Sequence, residues 1–203
     1  MKPWKVGILL FDDVEVLDFA GPFEVFSVTV LNRGQPDLFQ PFEVQTISET
    51  GGLVVACNGL KVQPDYSFHS APAFDLLVIP GGLGTRREIH NEHLIDWIRQ
   101  RFEDVQLQWM TSVCTGALLL AKAGLLNGKR ATTHWASLEW LRTDFPETTV
   151  VDGVKYVDED RIVTSAGISA GIHMAFHMVE RLLGTEVAEE TARVMEYDIR
   201  FDR

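Results

Sequence analysis

The chain has 203 residues, with 29 acidic and 18 basic side chains, and a formal net charge of −11. That charge argues against a nucleic acid partner, because phosphate backbones favour Lys and Arg. Hydrophobic residues make up 46% and charged residues 23%, as in ordinary globular proteins, so we expect one domain over residues 1–203. Two cysteines are too few for a disulfide framework, and we recognise no signal peptide or membrane-spanning run. A cytoplasmic protein that contacts no membrane is therefore expected.

Apolar runs of strand length alternate along the chain with runs of helical periodicity. In chain order they predict a strand over 5–11, a helix over about 22–31, a strand over 42–48, a hairpin over 53–62 that turns at Asn58-Gly59, a strand over 74–79, a helix over about 92–102, a strand over 107–113, a helix over 115–123, a short strand over 130–133, a helix over 136–145, strands over 149–157 and 161–165, and helices over about 170–183 and 186–195. This alternation predicts an α/β fold, in which a mainly parallel sheet lies between helices and ligands bind at the carboxyl ends of the strands.

Cys114 stands where the strand over 107–113 meets the following helix. Ser112 and Gly116, two places to either side, are small, as the tight turn of a nucleophile elbow requires. We therefore expect Cys114 in a sparsely allowed backbone conformation, at the positive end of a helix, where a thiolate is favoured. The alternative is a buried structural cysteine.

Two further polar features follow predicted strands. The glycines of Pro80-Gly81-Gly82-Leu83-Gly84 leave the backbone free to direct N–H groups at a ligand, although the segment also fits a simple tight turn. Asp18 interrupts an apolar stretch and suits a helix N-cap. Partly buried beside a thiolate, it would instead have a raised pKa and could transfer a proton. Glu15, expected to be solvated, is a rival for that role.

Several motifs together resemble the DJ-1/PfpI (ThiJ) superfamily. They are Gly7-Ile-Leu-Leu-Phe, Leu17-Asp-Phe-Ala-Gly-Pro, Ile79-Pro-Gly-Gly, Ser112-Val-Cys-Thr-Gly and Thr132-Thr-His-Trp. Within the superfamily the chain is similar to isonitrile hydratases, which have Asp before the first helix, Thr after the nucleophile, and Arg-Ala-Thr-Thr-His-Trp, found here at 130–135. Similar domains also occur in AraC-type transcription regulators.

The resemblance implies a flavodoxin-like three-layer sandwich and a homodimer. It also implies that Cys114 is the nucleophile, that Asp18 is its acid/base partner, and that amides near Gly81, Gly82 and Thr115 form an oxyanion-type pocket. The implied reaction is hydration of an isonitrile, a small molecule, to an N-substituted formamide through a thioimidate, with no metal or cofactor. A redox-sensing protein and a small-molecule-binding regulatory domain remain alternatives.

Other residues are secondary candidates. Protease-like members of the superfamily have His where this chain has Thr115, which argues against a Cys–His mechanism. His134 could lie near Cys114 or serve a structural role, and the segment that contains Ile168 could form a wall of the pocket. His173 and His177 have a zinc-binding spacing, but their mostly apolar surroundings favour no metal.

Two expectations concern the remaining features. Cys57, beside the Asn58-Gly59 turn, is expected to be structural. The first helix carries more apolar side chains than one core face requires (Phe19, Phe23, Val25 and Phe26), which supports a dimer interface there.

Overall fold

A seven-stranded sheet forms the centre of the protein, whose computed structural model describes residues 2–200. The strands are β1 (Trp4–Leu9), β2 (Phe42–Ser48), β3 (Val54–Val55), β4 (Lys61–Val62), β5 (Tyr66–Ser67), β6 (Leu76–Ile79), β7 (Trp109–Val113), β8 (Arg130–Ala131), β9 (Thr149–Val150), β10 (Tyr156–Glu159) and β11 (Ile162–Ser165). The central sheet has the order β10-β11-β7-β6-β1-β2-β5, and its neighbours run parallel except for β10, which is antiparallel to β11. The predicted mainly parallel sheet is thus confirmed.

Helices cover both faces of this sheet. They are α1 (Val16–Val28), α2 (Thr85–Glu88), α3 (Glu92–Glu103), α4 (Gly116–Lys122), α5 (Leu138–Asp144), α6 (Ala170–Leu183) and α7 (Thr185–Val194). Helices α1, α6 and α7 pack against one another, and α4 packs against α2 and α3 in a second group. The result is the α/β three-layer sandwich that the sequence predicted. No helix within residues 2–200 is long and apolar enough to cross a membrane.

The pair of strands β1 and β6 lies at the middle of the sheet and is deeply buried. The side chains of Val6, Ile8 and Leu9 in β1 and all four residues of β6 are fully buried. A strand covered by helices on both faces must be apolar at every position, which is why these segments lack a polar alternation. Each fully buried Leu, Ile or Val contributes about 1.5–3 kcal/mol relative to an exposed one.

The structure corrects several element boundaries. Helix α1 begins at Val16 and not near residue 22, so that Pro22 lies inside the helix and not in its first turn. A proline removes the hydrogen bond to the carbonyl four residues earlier, but the buried side chains of Phe19, Val25 and Phe26 on either side hold the helix against the sheet. Short elements α2 and β5 were not predicted, and β9 pairs with β8 outside the central sheet.

The sequence argument for a second apolar face on α1 is weakened by the same packing. Phe19, Val25 and Phe26 all point into the core of the chain itself, whereas Phe23 is 36% exposed and Leu17 is 38% exposed. Of the four side chains named for a dimer interface only Phe23 is exposed, and Leu17 is exposed on the same helix.

Candidate active site

The candidate site lies at the carboxyl ends of β1, β6 and β7. Strand β1 stands between β2 and β6, so the chain segments that leave β1 and β6 diverge there and open a crevice, as at the ligand sites of other open α/β sheets. Val14, after β1, forms a bridge with Gly82, after β6, and the Glu15 amide donates a 2.9 Å hydrogen bond to the Gly81 carbonyl. These contacts bring Asp18 to the end of β7.

Cys114 occupies a strained turn between β7 and α4, as predicted. Its φ of 56° lies in the left-handed region, where a residue with a Cβ is uncommon. A Cβ atom added at Gly116 would lie 2.0 Å from the carbonyl oxygen of Ile79, so only glycine fits two places after the cysteine. The need for a small residue there therefore follows from close packing against β6.

The backbone of Cys114 is held on both sides. Its amide donates to the carbonyls of Ser165 and Ala166 at 3.2 and 3.3 Å, and its carbonyl accepts a 2.7 Å hydrogen bond from the Thr133 hydroxyl. The surrounding structure thus stabilises an unfavourable conformation, which is how strain persists at functional sites. Only 6% of Cys114 is exposed.

Asp18 is fully buried and lies in the first turn of α1. The residue before the helix is Glu15, whose side chain makes no capping hydrogen bond, and the Asp18 carboxylate does not cap the helix either. Its Oδ2 instead accepts a 3.0 Å hydrogen bond from the Gly81 amide. The N-cap alternative is therefore wrong, because Glu15 occupies the N-cap position and Asp18 is the third residue of the helix.

Burial raises the pKa of Asp18 to about 7. The Gly81 amide opposes this effect, the negative charge of Glu15 adds to it, and a hydrogen-bonding interaction with the Cys114 thiol opposes it again. The second oxygen, Oδ1, has no partner of ordinary hydrogen-bond geometry among residues 2–200. One oxygen is thus fixed by the backbone, whereas the other is buried and has no hydrogen bond among the described residues.

The pKa of the Cys114 thiol is raised, contrary to the lowered value that its place before a helix predicted. Burial is the main cause and the charge of Asp18 adds to it, whereas hydrogen bonds from the amide and hydroxyl of Thr115 oppose them. A helix of seven residues does not compensate for loss of water and a neighbouring carboxylate. The ionised Asp18 thus disfavours the Cys114 thiolate, so the charge state of each group affects the other.

The Gly81 and Gly82 amides, expected to contribute to an oxyanion-type pocket, both donate hydrogen bonds to side chains of the protein. The Gly81 amide binds Asp18, and the Gly82 amide donates a 3.0 Å hydrogen bond to the Thr115 hydroxyl. That hydroxyl also lies 2.9 Å from the Thr85 hydroxyl. A Cβ atom at Gly81 would lie 2.4 Å from Thr115 Oγ1, so the loop approaches the elbow as closely as glycine allows. Both amides serve to position Asp18 and Thr115.

His134 lies beside Cys114 across Gly167. A Cβ atom at Gly167 would lie 2.3 Å from His134 Cδ2 and 2.9 Å from Cys114 Sγ. The His134 Nδ1 accepts a 3.3 Å hydrogen bond from the Ala136 amide, so in the neutral ring Nε2 carries the hydrogen and is a donor. The structure thus brings His134 close to the thiol, with Nδ1 engaged by the Ala136 amide.

A pocket of about 210 Å³ opens over Cys114. Its walls are formed by Glu15, Gly82, Leu83, Arg86, Cys114, Thr115, His134, Ala136, Ser137 and Ile168. Pockets for drug-sized ligands measure about 300–1,000 Å³, so this one suits a smaller molecule. Ile168 lines it as expected, and Asp18 lies behind the thiol. Sequence reasoning missed Arg86 and the position of Glu15, since only the unpredicted helix α2 and the Val14–Gly82 bridge bring them here.

The other candidates lie elsewhere. The His177 Nε2 is 2.7 Å from Asp158 Oδ2 and its ring stacks on Tyr156, while His173 packs edge-on against Tyr197. Within the described part of the chain, no group of three or more His, Cys, Asp or Glu side chains could hold a metal ion. Cys57 is buried, and its thiol donates to the Asp13 carbonyl at 3.1 Å.

Comparison with known proteins gives several kinds of relative, among them an enzyme and transcriptional regulators. An isonitrile hydratase of Pseudomonas putida is 35% identical over 193 residues, which cover 95% of this chain and 78% of that protein. The HTH-type transcriptional regulator GbdR of Pseudomonas aeruginosa is 29% identical over 197 residues, or 97% of this chain, which spans about half (52%) of the regulator. Enzymes and regulators thus share this domain.

A solved structure agrees with the fold. The crystal structure of a ThiJ/PfpI family protein from Pseudomonas syringae matches all of this chain, and 78% of that one, with a TM-score of 0.85 and 25% identity. Residues 4–181 match the model of the DJ-1/PfpI family. The elbow at Cys114, the sandwich around it and this match together lead to one conclusion: the chain belongs to the DJ-1/PfpI family.

Proposed function

We propose that the protein hydrates isonitriles to N-substituted formamides, with Cys114 as nucleophile and Asp18 as the group that moves protons. The observation that carries the proposal is the buried pair of a strained thiol and a carboxyl whose pKa is raised to about 7. A proton donor and acceptor works best when its pKa lies near the working pH. The identity of 35% to an isonitrile hydratase supports this choice of reaction.

The first step joins the thiol to the isonitrile carbon. With one proton on the pair, ionised Asp18 takes the thiol proton and delivers it to that carbon, while sulfur forms the new S–C bond. The product is a thioimidate, R–N=CH–S–Cys114, in which no atom has been gained or lost overall. Hydrogen bonds from Thr115 to the sulfur stabilise the negative charge that develops during transfer.

The second step releases the product with water. Asp18 accepts a proton from water as its oxygen adds to the thioimidate carbon, and that proton passes to the nitrogen. The resulting hydroxyl then gives its proton to Asp18 while the C–S bond breaks and its electron pair stays on sulfur. Asp18 returns this proton to the sulfur, so the Cys114 thiol is regenerated. The net reaction adds one water to R–NC and yields R–NH–CHO. We assign to the Nε2–H of His134 the stabilisation of the oxygen in this step, because its ring lies close to Cys114 and its Nδ1 accepts from Ala136.

Hydration of a simple aryl isonitrile, followed by its absorbance, tests the proposal. Wild-type protein should turn the compound over, and Cys114→Ala should not, whereas Cys57→Ala should keep the wild-type rate because Cys57 lies outside the pocket. Absence of turnover by wild-type protein, or equal rates in wild type and Cys114→Ala, would reject the function.

A second candidate function is small-molecule sensing without turnover. It is favoured by the regulators, which match 97% of this chain although the chain spans only 52% of their length. Under this alternative the pocket would bind a ligand at Cys114 and no thioimidate would form. Saturable binding of an isonitrile without formamide release separates it from the hydratase. A redox sensor would instead accumulate sulfinate on Cys114 with peroxide, without any turnover.

We also propose that the protein is a homodimer, as its family resemblance implies. The exposed Leu17 and Phe23 place an apolar contact surface on α1, whose first turn carries Asp18. A monomer at micromolar concentration in light scattering would reject the dimer. The cytoplasmic location expected from the two free cysteines stays a prediction.

A further inference from the structure

We infer that the pocket over Cys114 selects anionic substrates, with Arg86 binding a carboxylate on the isonitrile. This inference rests on the proposed function and names its substrate class. Arg86 is the cationic side chain among the residues that line the pocket with the nucleophile. Sequence reasoning gave it no role, because it lies on the unpredicted helix α2.

Arg86 is free to bind an anion. Among residues 2–200 no carboxylate forms an ion pair with its guanidinium, and no side-chain hydrogen bond engages it. The neighbouring Arg87 is the opposite case, since it pairs with Glu88 at 2.9 Å and with Asp13 at 3.3 Å. Arg87 is therefore engaged in ion pairs within the protein, whereas Arg86 lines the pocket.

The position of Arg86 is defined by an aromatic side chain. Its guanidinium carbon lies 6.0 Å from the centre of the Trp140 ring, at the limit of a cation–π contact. Trp140 itself is anchored on α5 by a 2.8 Å hydrogen bond from its indole to Asp144. A cation–π contact uses none of the N–H groups of the guanidinium, so they remain available to bind a carboxylate with two parallel hydrogen bonds.

The charges in the pocket would orient such a substrate. Glu15 also lines the pocket, and its negative charge acts on Asp18. The negative potential of the pocket is therefore concentrated near the nucleophile. Glu15 and Arg86 form no ion pair within the described residues. Glu15 and Asp18 would repel the carboxylate of an anionic isonitrile, and Arg86 would attract it. The uncharged isonitrile carbon would then lie at Cys114.

The remaining walls fit a short organic linker. Leu83, Ala136 and Ile168 supply apolar contacts, and the volume of about 210 Å³ suits a small molecule. In a chain of net charge −11, which repels anions in general, a single unpaired arginine beside the nucleophile gives local selectivity. The predicted substrate class is thus a small isonitrile that carries a carboxylate a few bonds from the reacting carbon.

The test compares isocyanoacetate with its methyl ester, because the two differ mainly in charge. Wild-type kcat/KM should favour the acid by about tenfold or more, as one carboxylate–guanidinium contact allows. Arg86→Gln should lower kcat/KM for the acid at least tenfold more than kcat/KM for the ester, so that the ratio of the two falls to about one, and Arg86→Lys should restore part of this ratio. The matched control is Arg142→Gln, on α5 outside the pocket lining, which should behave as wild type. An acid preference that survives in Arg86→Gln, or a wild type that prefers the ester, would overturn the inference.

A binding measurement separates failure of this inference from failure of the proposed function. N-formylglycine and its methyl ester, the corresponding products, are titrated into Cys114→Ala protein by calorimetry, with and without Arg86→Gln. Tighter binding of the acid that is lost with Arg86→Gln supports the inference even where no isonitrile is turned over. Equal binding of acid and ester would overturn it, whatever the turnover result.

Discussion

The Gly81 amide holds Asp18 by a 3.0 Å hydrogen bond to Oδ2, and this contact assigns different roles to the two carboxylate oxygens. Oδ2 is fixed by the loop after β6, whereas Oδ1 is buried without an ordinary hydrogen-bond partner among the described residues. A proton on Oδ1 would satisfy that oxygen. Burial raises the pKa of Asp18, and in the mechanism that we propose Oδ1 carries the proton exchanged with Cys114.

Asp18 makes the stability of the protein depend on pH. Its pKa is about 7 in the folded protein and near 3.8 when unfolded, so the folded state binds its proton more tightly. The stabilising contribution is full below about pH 4 and is lost as pH rises through 7. Wild-type protein should therefore lose stability from pH 5 to pH 8.5, whereas Asp18→Asn should not lose this contribution. Over that range the free energy of unfolding of Asp18→Asn, measured in urea, should rise by about 2–4 kcal/mol relative to that of wild type. The exposed Glu139→Gln should show no such gain, and a constant difference between Asp18→Asn and wild type would contradict the pKa.

The charge of Glu15 should influence the pH at which the rate of isonitrile hydration rises, because it raises the pKa of Asp18. Because the active pair holds one proton, kcat/KM for an isonitrile should rise with pH through a value near 7 and then level off. Removing the charge of Glu15 makes Asp18 easier to ionise, so Glu15→Gln should move this limb to lower pH and keep the plateau. A profile measured from pH 5 to 9 decides the matter. An unmoved midpoint would show that Glu15 does not act on Asp18.

Asp18→Asn should make the Cys114 thiol more reactive towards iodoacetamide while it removes turnover. The charge of Asp18 raises the pKa of Cys114, so a neutral amide should increase the thiolate fraction and the alkylation rate several-fold at pH 8.5. Peptide mass spectrometry assigns the label. Cys57, buried and bonded to the Asp13 carbonyl, should stay unlabelled in the folded protein. Slower labelling of Cys114 in the variant would mean that the carboxylate activates the thiol at rest.

Gly167 should tolerate no side chain. The Cβ atom of Gly167→Ala would lie 2.3 Å from His134 Cδ2 and 2.9 Å from Cys114 Sγ, so the imidazole and the thiol must move apart. We expect turnover to fall by about tenfold or more, and the free energy of unfolding to fall by about 1–3 kcal/mol. Gly52→Ala is the control, since its Cβ meets only the Thr50 hydroxyl at 3.1 Å on the surface. Wild-type turnover by Gly167→Ala would place His134 outside the mechanism.

The fold could be predicted from the sequence because its strongest signals are local. The apolar runs of β1 and β6 are typical of strands buried in a parallel sheet. The small residues around Cys114 are typical of a tight turn between such a strand and a helix. Helix α1 was placed too late because Pro22 resembles a first-turn proline, and local rules do not show the tertiary packing that keeps it inside the helix. Helix α2 has four residues, too few for a periodic pattern.

The chemistry of the site was less predictable, because it depends on contacts between distant segments. The position of Cys114 before α4 suggested a lowered pKa, but burial and the Asp18 carboxylate, 96 residues away in sequence, reverse the direction. The Gly81 and Gly82 amides were recognised as donors, yet their actual acceptors are Asp18 and Thr115. A motif identifies which groups are present, and only their three-dimensional arrangement determines which groups each one binds.

The rate of isonitrile hydration by Asp18→Asn, at pH 8 beside wild type, tests the shared proton of Cys114 and Asp18 most directly. The amide oxygen can still accept the Gly81 hydrogen bond, so circular dichroism and light scattering should find the fold and assembly unchanged. An amide cannot take a proton from the thiol and return it, so turnover should fall by about 10²-fold or more. Turnover close to the wild-type rate would contradict the account and leave Cys114 with a different proton donor.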